Sequence, residues 1–283
     1  MRPALPLLVL LASPALAEAP RVLADTAPVH SLVAMVMAGV GEPALIAPSG
    51  TSPHDMALRP SEAAALTEAD LIVWTGPGFV PWLGEALASL APDAARLALL
   101  ETEGWEPLPL REGGARDQDG RAEAAVDPHA WLDPAVAAAW TGAIAEALAE
   151  ADPERAETYR ANAGAAQARL LGLAQDLRAR IAPLAGRGFV AGHDAYQYLE
   201  RAAGLTGAGA VADASGAAPS PGDVGALRAA VASGAVACLL IDAETDPAWA
   251  SVLGEGRALR TAAVDPDGVS LEPGPELYPA LIE

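Results

Sequence analysis

The sequence contains no lysine, one cysteine, two phenylalanines and four histidines in 283 residues. Its 17 basic residues are therefore all arginine, and 37 acidic residues outnumber them, which gives a formal net charge of −20. A surface this acidic repels phosphate backbones, so we exclude nucleic acid as a partner. It weakly favours the approach of cations, although acidic charge also helps to keep an exported protein in solution.

The single cysteine, Cys238 in "VACLLID", excludes an internal disulfide. It lies in an apolar run, which is typical of a buried and chemically inert core residue.

Long hydrophobic runs are also missing, since spanning a bilayer takes roughly 20 apolar residues. The first residues, "MRPALPLLVLLASPALAEAP", combine one positive charge with a shorter apolar run that prolines interrupt and that ends in "ALA". This pattern predicts a signal peptide at residues 1–17, cleaved after Ala17. No cysteine lies near the cut, so we expect no lipid anchor but a soluble periplasmic protein.

Short apolar runs alternate with helical stretches along the rest of the chain. Strands are predicted at 21–26, 44–49, 69–76 and 95–101, and then at 188–192, 235–242 and 258–264. This alternation is typical of parallel sheets covered by helices. We predict an α/β fold of two lobes, each with a mainly parallel sheet, joined by one long rigid linker helix. The predicted divisions are an N-terminal lobe at 18–150 with a flexible surface loop at 102–127, a linker helix at 151–186 and a C-terminal lobe at 187–283.

The linker helix is predicted from its apolar stripe. Apolar residues recur at steps of three and four, namely Tyr159, Ala163, Ala166, Leu170, Leu173, Leu177 and Ile181. Asp152 suits the N-cap of this helix and Pro153 its first position.

Three of the four histidines stand beside Asp or Pro, between apolar runs. His54 follows the strand predicted at 44–49, His193 closes the strand at 188–192, and His129 precedes a helix that Asp133 can cap. In open parallel sheets, ligands bind outside the carboxyl ends of the strands. His30 stands at the start of a helix, and we interpret it as a structural histidine.

Asp265, in "VDPDG", follows the last predicted strand. Three imidazoles and this carboxylate would together form a tetrahedral site suited to Zn²⁺. The spacing alone does not require that they converge, and Asp267 is an alternative fourth ligand. Asp55 and Asp194, each directly after a histidine, are equally compatible with orienting an imidazole and with capping a helix.

The blocks "SPHDMALRPSEAAALTEADLIVWTG", "DPHAWLDP" and "AGHDAYQYLERAAGL" resemble the signature blocks of the zinc-uptake solute-binding proteins of ABC transporters. The resemblance is to the ZnuA-like and AztC-like branch of a cluster that also contains manganese-binding lipoproteins. "APVHSLVAMVMAGVGEP" and "DPDG" fit the same pattern, so the similarity covers essentially the whole mature chain.

The resemblance implies two α/β lobes, a rigid linker helix and a metal in the cleft between the lobes. Carried over motif by motif, it makes His54, His129 and His193 zinc ligands and Asp265 the fourth ligand. Manganese-binding relatives have Glu where this sequence has His193, and three imidazoles favour Zn²⁺ over Mn²⁺. A manganese- or iron-binding member of the family is the alternative.

The resemblance also implies partners: a membrane permease with a cytoplasmic ATPase, to which Zn²⁺ is delivered as cargo. A periplasmic zinc chaperone is a further candidate partner, and we expect a monomer without enzymatic activity. Many zinc-binding relatives have a histidine-rich insertion between the first two ligand blocks, whereas the loop at 102–127 contains no histidine.

Two other functions compete with transport. An exported zinc hydrolase would use the three histidines and a bound water, but the sequence has no H-E-x-x-H motif, no G-x-S-x-G motif and no obvious catalytic glutamate. An extracytoplasmic metal buffer or an adhesin-like protein would show the same sequence features as a carrier.

Overall fold

A computed structural model describes residues 18–46, 58–111, 126–243, 245–256 and 259–283. The predicted signal peptide (1–17), His54 and Asp55 lie outside the described residues. In the part of the chain that is described, no helix is both long and apolar enough to cross a membrane.

The first lobe contains a parallel sheet with four strands in its described part, in the order β2-β1-β3-β4. The strands are β1 Val22–Ala24, β2 Ala44–Leu45, β3 Leu71–Trp74 and β4 Ala95–Ala98. β1 and β3 are buried at every position, as expected for short aliphatic runs covered by helices on both faces. The strand predicted at 95–101 ends at Ala98, and a 3₁₀ turn takes up Leu99–Glu101.

Helices on this sheet begin at residues that suit a helix start. They are α1 Ala27–Val36, α2 Pro60–Thr67, α3 Pro81–Leu90 and α4 Pro134–Ala151. The Asp133 side chain accepts the backbone N–H of Ala135, and Pro134 occupies the first turn of α4, so the predicted cap of this helix is confirmed. A 3₁₀ turn at Ala130–Leu132 leads directly into α4.

The long helix is α5, Ala156–Ile181, whose 26 residues make a rod of about 39 Å. Most of the predicted stripe is buried, namely Tyr159, Ala163, Ala166, Leu170 and Leu177. The predicted start was wrong in one detail. Asp152 does not cap the helix: its carboxylate accepts hydrogen bonds from the Arg155 guanidinium and the Tyr159 hydroxyl, while a 3₁₀ turn at Pro153–Arg155 precedes α5.

The second lobe repeats the topology, with the strand order β6-β5-β7-β8 in a parallel sheet. The strands are β5 Gly188–His193, β6 Gly207–Ala212, β7 Val236–Ile241 and β8 Arg260–Ala263. Three of these match predicted strands, but β6 was missed. Its sequence, "GAGAVA", consists mainly of residues depleted in strands, so pairing with β5 decides its conformation.

The helices of the second half are α6 Gln197–Ala203, α7 Pro221–Ala232, α8 Trp249–Gly254 and α9 Leu277–Ile282. The last of them, α9, packs against α1 of the first lobe and against α5. The backbone N–H of Tyr278 donates a buried hydrogen bond to the Ser31 hydroxyl on α1. The end of the chain thus crosses from the second sheet back to the first.

The shared strand order also determines where a ligand can bind. In each sheet the first strand in chain order lies between the second and the third. The strand order therefore reverses beside β1 in one lobe and beside β5 in the other. The crevice at the carboxyl ends of such strands is where open α/β sheets bind ligands. His193 is the last residue of β5 and therefore lies at this point of the second lobe.

Candidate metal centre

His129 is fully buried where the first lobe meets the second. The Asp127 carboxylate accepts its backbone N–H at 3.0 Å and lies 3.0 Å from ring atom Nδ1. This contact places the proton on Nδ1, so Nε2 is the ring nitrogen that would bind a metal. A carboxylate that orients an imidazole in this way is typical of metal-binding histidines.

Aromatic rings hold the His129 imidazole from two sides. Phe79 and Trp131 meet it edge-on, with centroids 5.7 Å and 5.4 Å away, and contact each other at 5.0 Å. Trp131 is fully buried. This packing fixes the ring plane and keeps water from it.

His193 approaches the same point from the second lobe. Its ring centroid lies 4.9 Å from that of His129 at an interplanar angle of 79°, and its side chain is buried. The preceding Gly192 is required by close packing, because a Cβ at this position would overlap the Thr245 side chain. The structure therefore brings together two of the four predicted ligands, one at the carboxyl end of a strand and one before a helix.

The segment that carries His129 is fastened to the "DPDG" turn. The Trp131 indole N–H donates to the Pro266 carbonyl at 2.9 Å, and the Tyr278 hydroxyl donates to the Trp131 carbonyl. All three residues are buried. The turn that carries Asp265 and Asp267 is thereby held against the segment that carries His129.

Asp265 follows β8, as predicted, but its carboxylate stabilises its own turn. It accepts the backbone N–H groups of Val269 and Ser270 at 3.0 Å and 2.8 Å, and also the Ser270 hydroxyl. Asp267 is buried. Within the described ranges, no three His, Cys, Asp or Glu side chains lie close enough together to hold a metal ion. The histidine pair is thus brought together with neither aspartate, and the position of His54 is not described.

Carboxylates nonetheless surround the turn that follows His193. Burial raises the pKa of the Tyr196 hydroxyl, and the nearby charges of Asp242, Asp267 and Asp265 raise it further. An acidic environment of this kind favours a cation over an anion.

Asp127 and Arg111 were not among the predicted site residues. The spacing in "DPH", with an acidic residue two positions before the histidine, was the available signal for Asp127.

For Asp194, the structure selects neither of the two predicted roles, because its carboxylate pairs with Arg111 at 3.1 Å. Burial raises the pKa of Asp194 to about 6, the Asp127 and Glu200 charges raise it as well, and Arg111 lowers it.

His30 lies away from this centre and has a structural contact. Its Nε2 atom is 3.0 Å from the Pro43 carbonyl, so this nitrogen carries the proton. Burial lowers its pKa, against the hydrogen bond to Pro43 and the charge of Glu42. Its interpretation as a structural histidine agrees with this geometry.

Comparison with known proteins identifies relatives of this architecture. Residues 22–283 match the family model described as ZnuA, "Zinc-uptake complex component A periplasmic". The chain is 36% identical over 296 residues to the high-affinity zinc uptake system protein ZnuA of Paracoccus denitrificans, covering 96% of this chain and 91% of the relative. It is 32% identical to the protein of the same name from Brucella abortus, covering 90% of this chain and 86% of the relative.

Solved structures share the fold. A zinc-bound ZnuA lacking residues 138–173 of its own numbering superposes with a TM-score of 0.78 at 23% identity, covering 93% of this chain and 94% of that one. Zn(II)-bound AdcAII of Streptococcus pneumoniae and the Mn²⁺ complex of FpvC from Pseudomonas aeruginosa have TM-scores of 0.76 and 0.75 at 22% identity. The match with AdcAII covers 94% of this chain and 96% of the AdcAII chain. The match with FpvC covers 93% of this chain and 94% of the FpvC chain. The match of the family model over nearly the whole chain means that this protein belongs to the ZnuA family of periplasmic zinc-uptake components, which are solute-binding proteins and not enzymes.

Proposed function

We propose that this protein binds Zn²⁺ in the periplasm and delivers it to the membrane permease of an ABC transporter, which a cytoplasmic ATPase powers. The observation that carries this proposal is the buried pair of imidazoles, His129 from one lobe and His193 from the other. Their ring centroids lie 4.9 Å apart, and a carboxylate orients the His129 ring. Zinc is the cargo, and the protein's own contribution is to hold it and to release it.

We propose His54, His129 and His193 as ligands, with Asp265 as the fourth. The motif around His54 supports its inclusion, and buried imidazoles suit Zn²⁺. A ligand role for Asp265 requires its carboxylate to exchange hydrogen bonds within its turn for the metal, or to use a remaining lone pair. Its contribution is therefore expected to be smaller than that of a histidine.

Selectivity for Zn²⁺ over Mn²⁺ follows from the donor atoms. Imidazole nitrogens are softer than carboxylate oxygens and suit Zn²⁺, whereas Mn²⁺ prefers oxygen ligands. His193, which lies in the second lobe, supplies an imidazole at the position where the manganese-binding relatives have a glutamate. We further propose that the leader at 1–17 is cleaved, that the mature protein is a soluble monomer, and that a periplasmic zinc chaperone is a candidate source of its metal.

The test is a metal titration of residues 18–283 after the protein has been stripped with a chelator. Zn²⁺ and Mn²⁺ are titrated against a competing chromophoric chelator, for wild type and for His54→Ala, His129→Ala, His193→Ala and Asp265→Ala. We expect one tight zinc site per chain. Each histidine variant should weaken it by about 100-fold or more, because even the groups that orient such ligands contribute about 10- to 100-fold.

The matched control is His30→Gln, which removes the fourth imidazole but can still donate a hydrogen bond to the Pro43 carbonyl. It should leave the zinc affinity unchanged. A folded wild-type protein that binds no zinc would overturn the proposal, and tighter binding of Mn²⁺ than of Zn²⁺ would replace it with a manganese carrier.

A further inference from the structure

The segment that leaves the first sheet lies across helix α6 of the second lobe before it reaches the metal centre. The backbone N–H of Leu108 donates to the Tyr198 hydroxyl at 2.8 Å, and the Gln197 amide donates to the Pro109 carbonyl at 2.9 Å. Pro109 also forms an antiparallel bridge with Val126, three residues before His129. Arg111 is therefore held at a defined position between the lobes.

The Arg111 guanidinium binds three side chains of the second lobe at once. Its Nε donates to the Gln197 amide oxygen at 3.1 Å, one terminal nitrogen lies 3.1 Å from Asp194, and the other lies 2.8 Å from Glu200. The side chain of Arg111 is 31% exposed and those of Asp194 and Glu200 are 16% and 13% exposed. A planar fork with all its edges engaged in a partly buried site is more rigid than a surface ion pair.

One route from Arg111 leads to His193. Asp194 directly follows His193 at the end of β5, so the ion pair restrains the backbone on which the imidazole is carried. No intermediate side chain is needed for this route.

A second route leads to His129 through Gln197 and Asp127. The Gln197 amide nitrogen lies 3.3 Å from one oxygen of Asp127, whose other oxygen contacts the His129 ring. The orientation of the amide follows from its neighbours, because its oxygen must face the Arg111 donor and its nitrogen the two acceptors. Arg111 thus restrains the carboxylate that sets the tautomer of His129.

Charge gives Arg111 a second role in the same cluster. Asp127, Asp194 and Glu200 place three carboxylates around one guanidinium, and each contributes to its electrostatic environment. Without that cation the three carboxylates would repel one another, and the Asp127 carboxylate would be held less firmly in its position beside the ring. Both the hydrogen bonds and the charge therefore act on the same two imidazoles.

We propose that Arg111 is a positioning residue for the metal centre, which holds the His129 and His193 imidazoles at the spacing that retains the ion. This inference rests on the proposed function, since it assumes that both histidines bind zinc. It predicts that Arg111 affects how fast zinc leaves the protein without touching zinc itself.

Arg201 offers a matched control for an arginine that merely ties the lobes together. Its side chain is 30% exposed, it binds the Asp133 carboxylate of the first lobe at 3.0 Å, and it donates to the Glu106 carbonyl at 3.1 Å. In the described part of the chain, none of its hydrogen bonds leads to a histidine ring. Arg201→Met and Arg111→Met therefore remove similar inter-lobe arginines and differ in their connection to the metal centre.

The experiment measures zinc release from the full mature chain by stopped-flow mixing with excess chelator, together with the melting temperature of the zinc-free proteins. We expect Arg111→Met to speed release by about 10-fold, the lower end of what groups that orient metal ligands contribute, and Arg201→Met to change it by less than about 3-fold. Both variants should lower the melting temperature by similar amounts, because the two arginines are equally exposed.

Gln197→Met tests the route to His129, because it leaves the ion pairs of Arg111 with Asp194 and Glu200 in place. Gln197→Met should also speed zinc release. In the double variant with Arg111→Met, the fold increase in the release rate should be smaller than the product of the two single increases, because the two residues act through one chain of contacts. A ¹⁵N NMR spectrum of the zinc-free protein should show the His129 Nδ1 signal shifted in both single variants and unshifted in Arg201→Met.

Equal release rates in Arg111→Met and Arg201→Met, with a wild type that binds zinc, would overturn this inference and leave the proposed function standing. A wild type that binds no zinc would instead overturn the proposed function. Unchanged release in Gln197→Met would remove the route through Asp127 and contradict the inference as stated.

Discussion

The two sheets have the same strand order but differ in burial. In the first, both central strands, β1 and β3, are buried along their whole length, whereas in the second only β5 is buried almost throughout. The residues of β8 are all exposed, and only two of the six residues of β7, Val236 and Leu239, are buried. Topology therefore does not decide how much apolar surface a lobe removes from water; the side chains on the strands do.

This difference bears on the metal centre, because one imidazole comes from each lobe. His129 is carried by a segment packed among buried rings, while His193 ends a strand that pairs on one side with the Gly- and Ala-rich β6. Regions with few buried apolar contacts open more easily than densely packed ones. We expect the second lobe to yield first when zinc is released or when the protein unfolds.

The largest effect is expected from truncating one leucine on the third strand of each sheet in chain order, β3 and β7. Leu71 on β3 is 1% exposed, whereas Leu240 on β7 is partly exposed although it pairs with strands on both sides. Leu71→Ala should lower the free energy of unfolding by about 3–4 kcal/mol and Leu240→Ala by about 1–2 kcal/mol, because only the first leaves a closed cavity. Urea unfolding followed by circular dichroism measures both, and equal losses would remove the contrast between the sheets.

A second effect concerns a carboxylate that the first lobe buries completely. Asp25, at the end of β1, accepts the backbone N–H of Thr75, and burial raises its pKa to about 6, against this hydrogen bond. The folded protein therefore takes up a proton at Asp25 near pH 6, whereas the unfolded chain does so near the ordinary aspartate pKa of 3.8. Below both values the group has no effect, and its charge increasingly destabilises the fold as the pH rises from about 4 to 6.

Asp25→Asn removes that titration. Between pH 4.5 and 7 we expect the wild type to lose about 2 kcal/mol of stability relative to the variant, since each pKa unit corresponds to about 1.4 kcal/mol. Urea unfolding of zinc-free protein at the two pH values measures this difference. Asp93→Asn, which changes an exposed carboxylate of the same lobe, should keep the wild-type pH dependence. A parallel pH profile for Asp25→Asn and wild type would contradict the prediction.

The smallest effect separates two buried tyrosine hydroxyls. That of Tyr278, on the helix that returns to the first lobe, donates to the Trp131 carbonyl, whereas that of Tyr196 has no hydrogen-bond partner among the described residues. Tyr278→Phe should cost about 1 kcal/mol because it leaves a buried carbonyl without its donor, and Tyr196→Phe should change stability by less than about 0.5 kcal/mol. Thermal unfolding measures both, and the reverse order would show that α9 contributes little to holding the lobes together.

Features with a local signal were predictable from the sequence. The alternation of short apolar runs with helical stretches gave the two α/β lobes, and a stripe with steps of three and four gave α5 within a few residues of its ends. Strand ends are marked by the change from apolar to polar residues, so the positions of His193 at the end of its strand and of Asp265 after its strand were also predicted correctly.

Contacts between distant parts of the chain were not predictable. β6 was missed because its Gly and Ala residues give no strand signal, and it forms because β5 offers backbone partners. The return of α9 to the first lobe depends on a surface that exists only after α1 and α5 have packed together. Arg111 likewise meets its partners, Gln197, Asp194 and Glu200, only in the second lobe.

By itself, the sequence determined the class of fold, the lobe order and the residue types that the candidate site offers, because periodicity and chemical character are local properties. Only the tertiary structure decided which of them meet: His129 and His193 lie beside each other across the lobes, whereas the Asp265 carboxylate turns to its own loop. Hydrogen bonds and packing act over a few ångströms between residues that lie tens of positions apart, so the meeting of His129 with His193 is known only when the chain has folded.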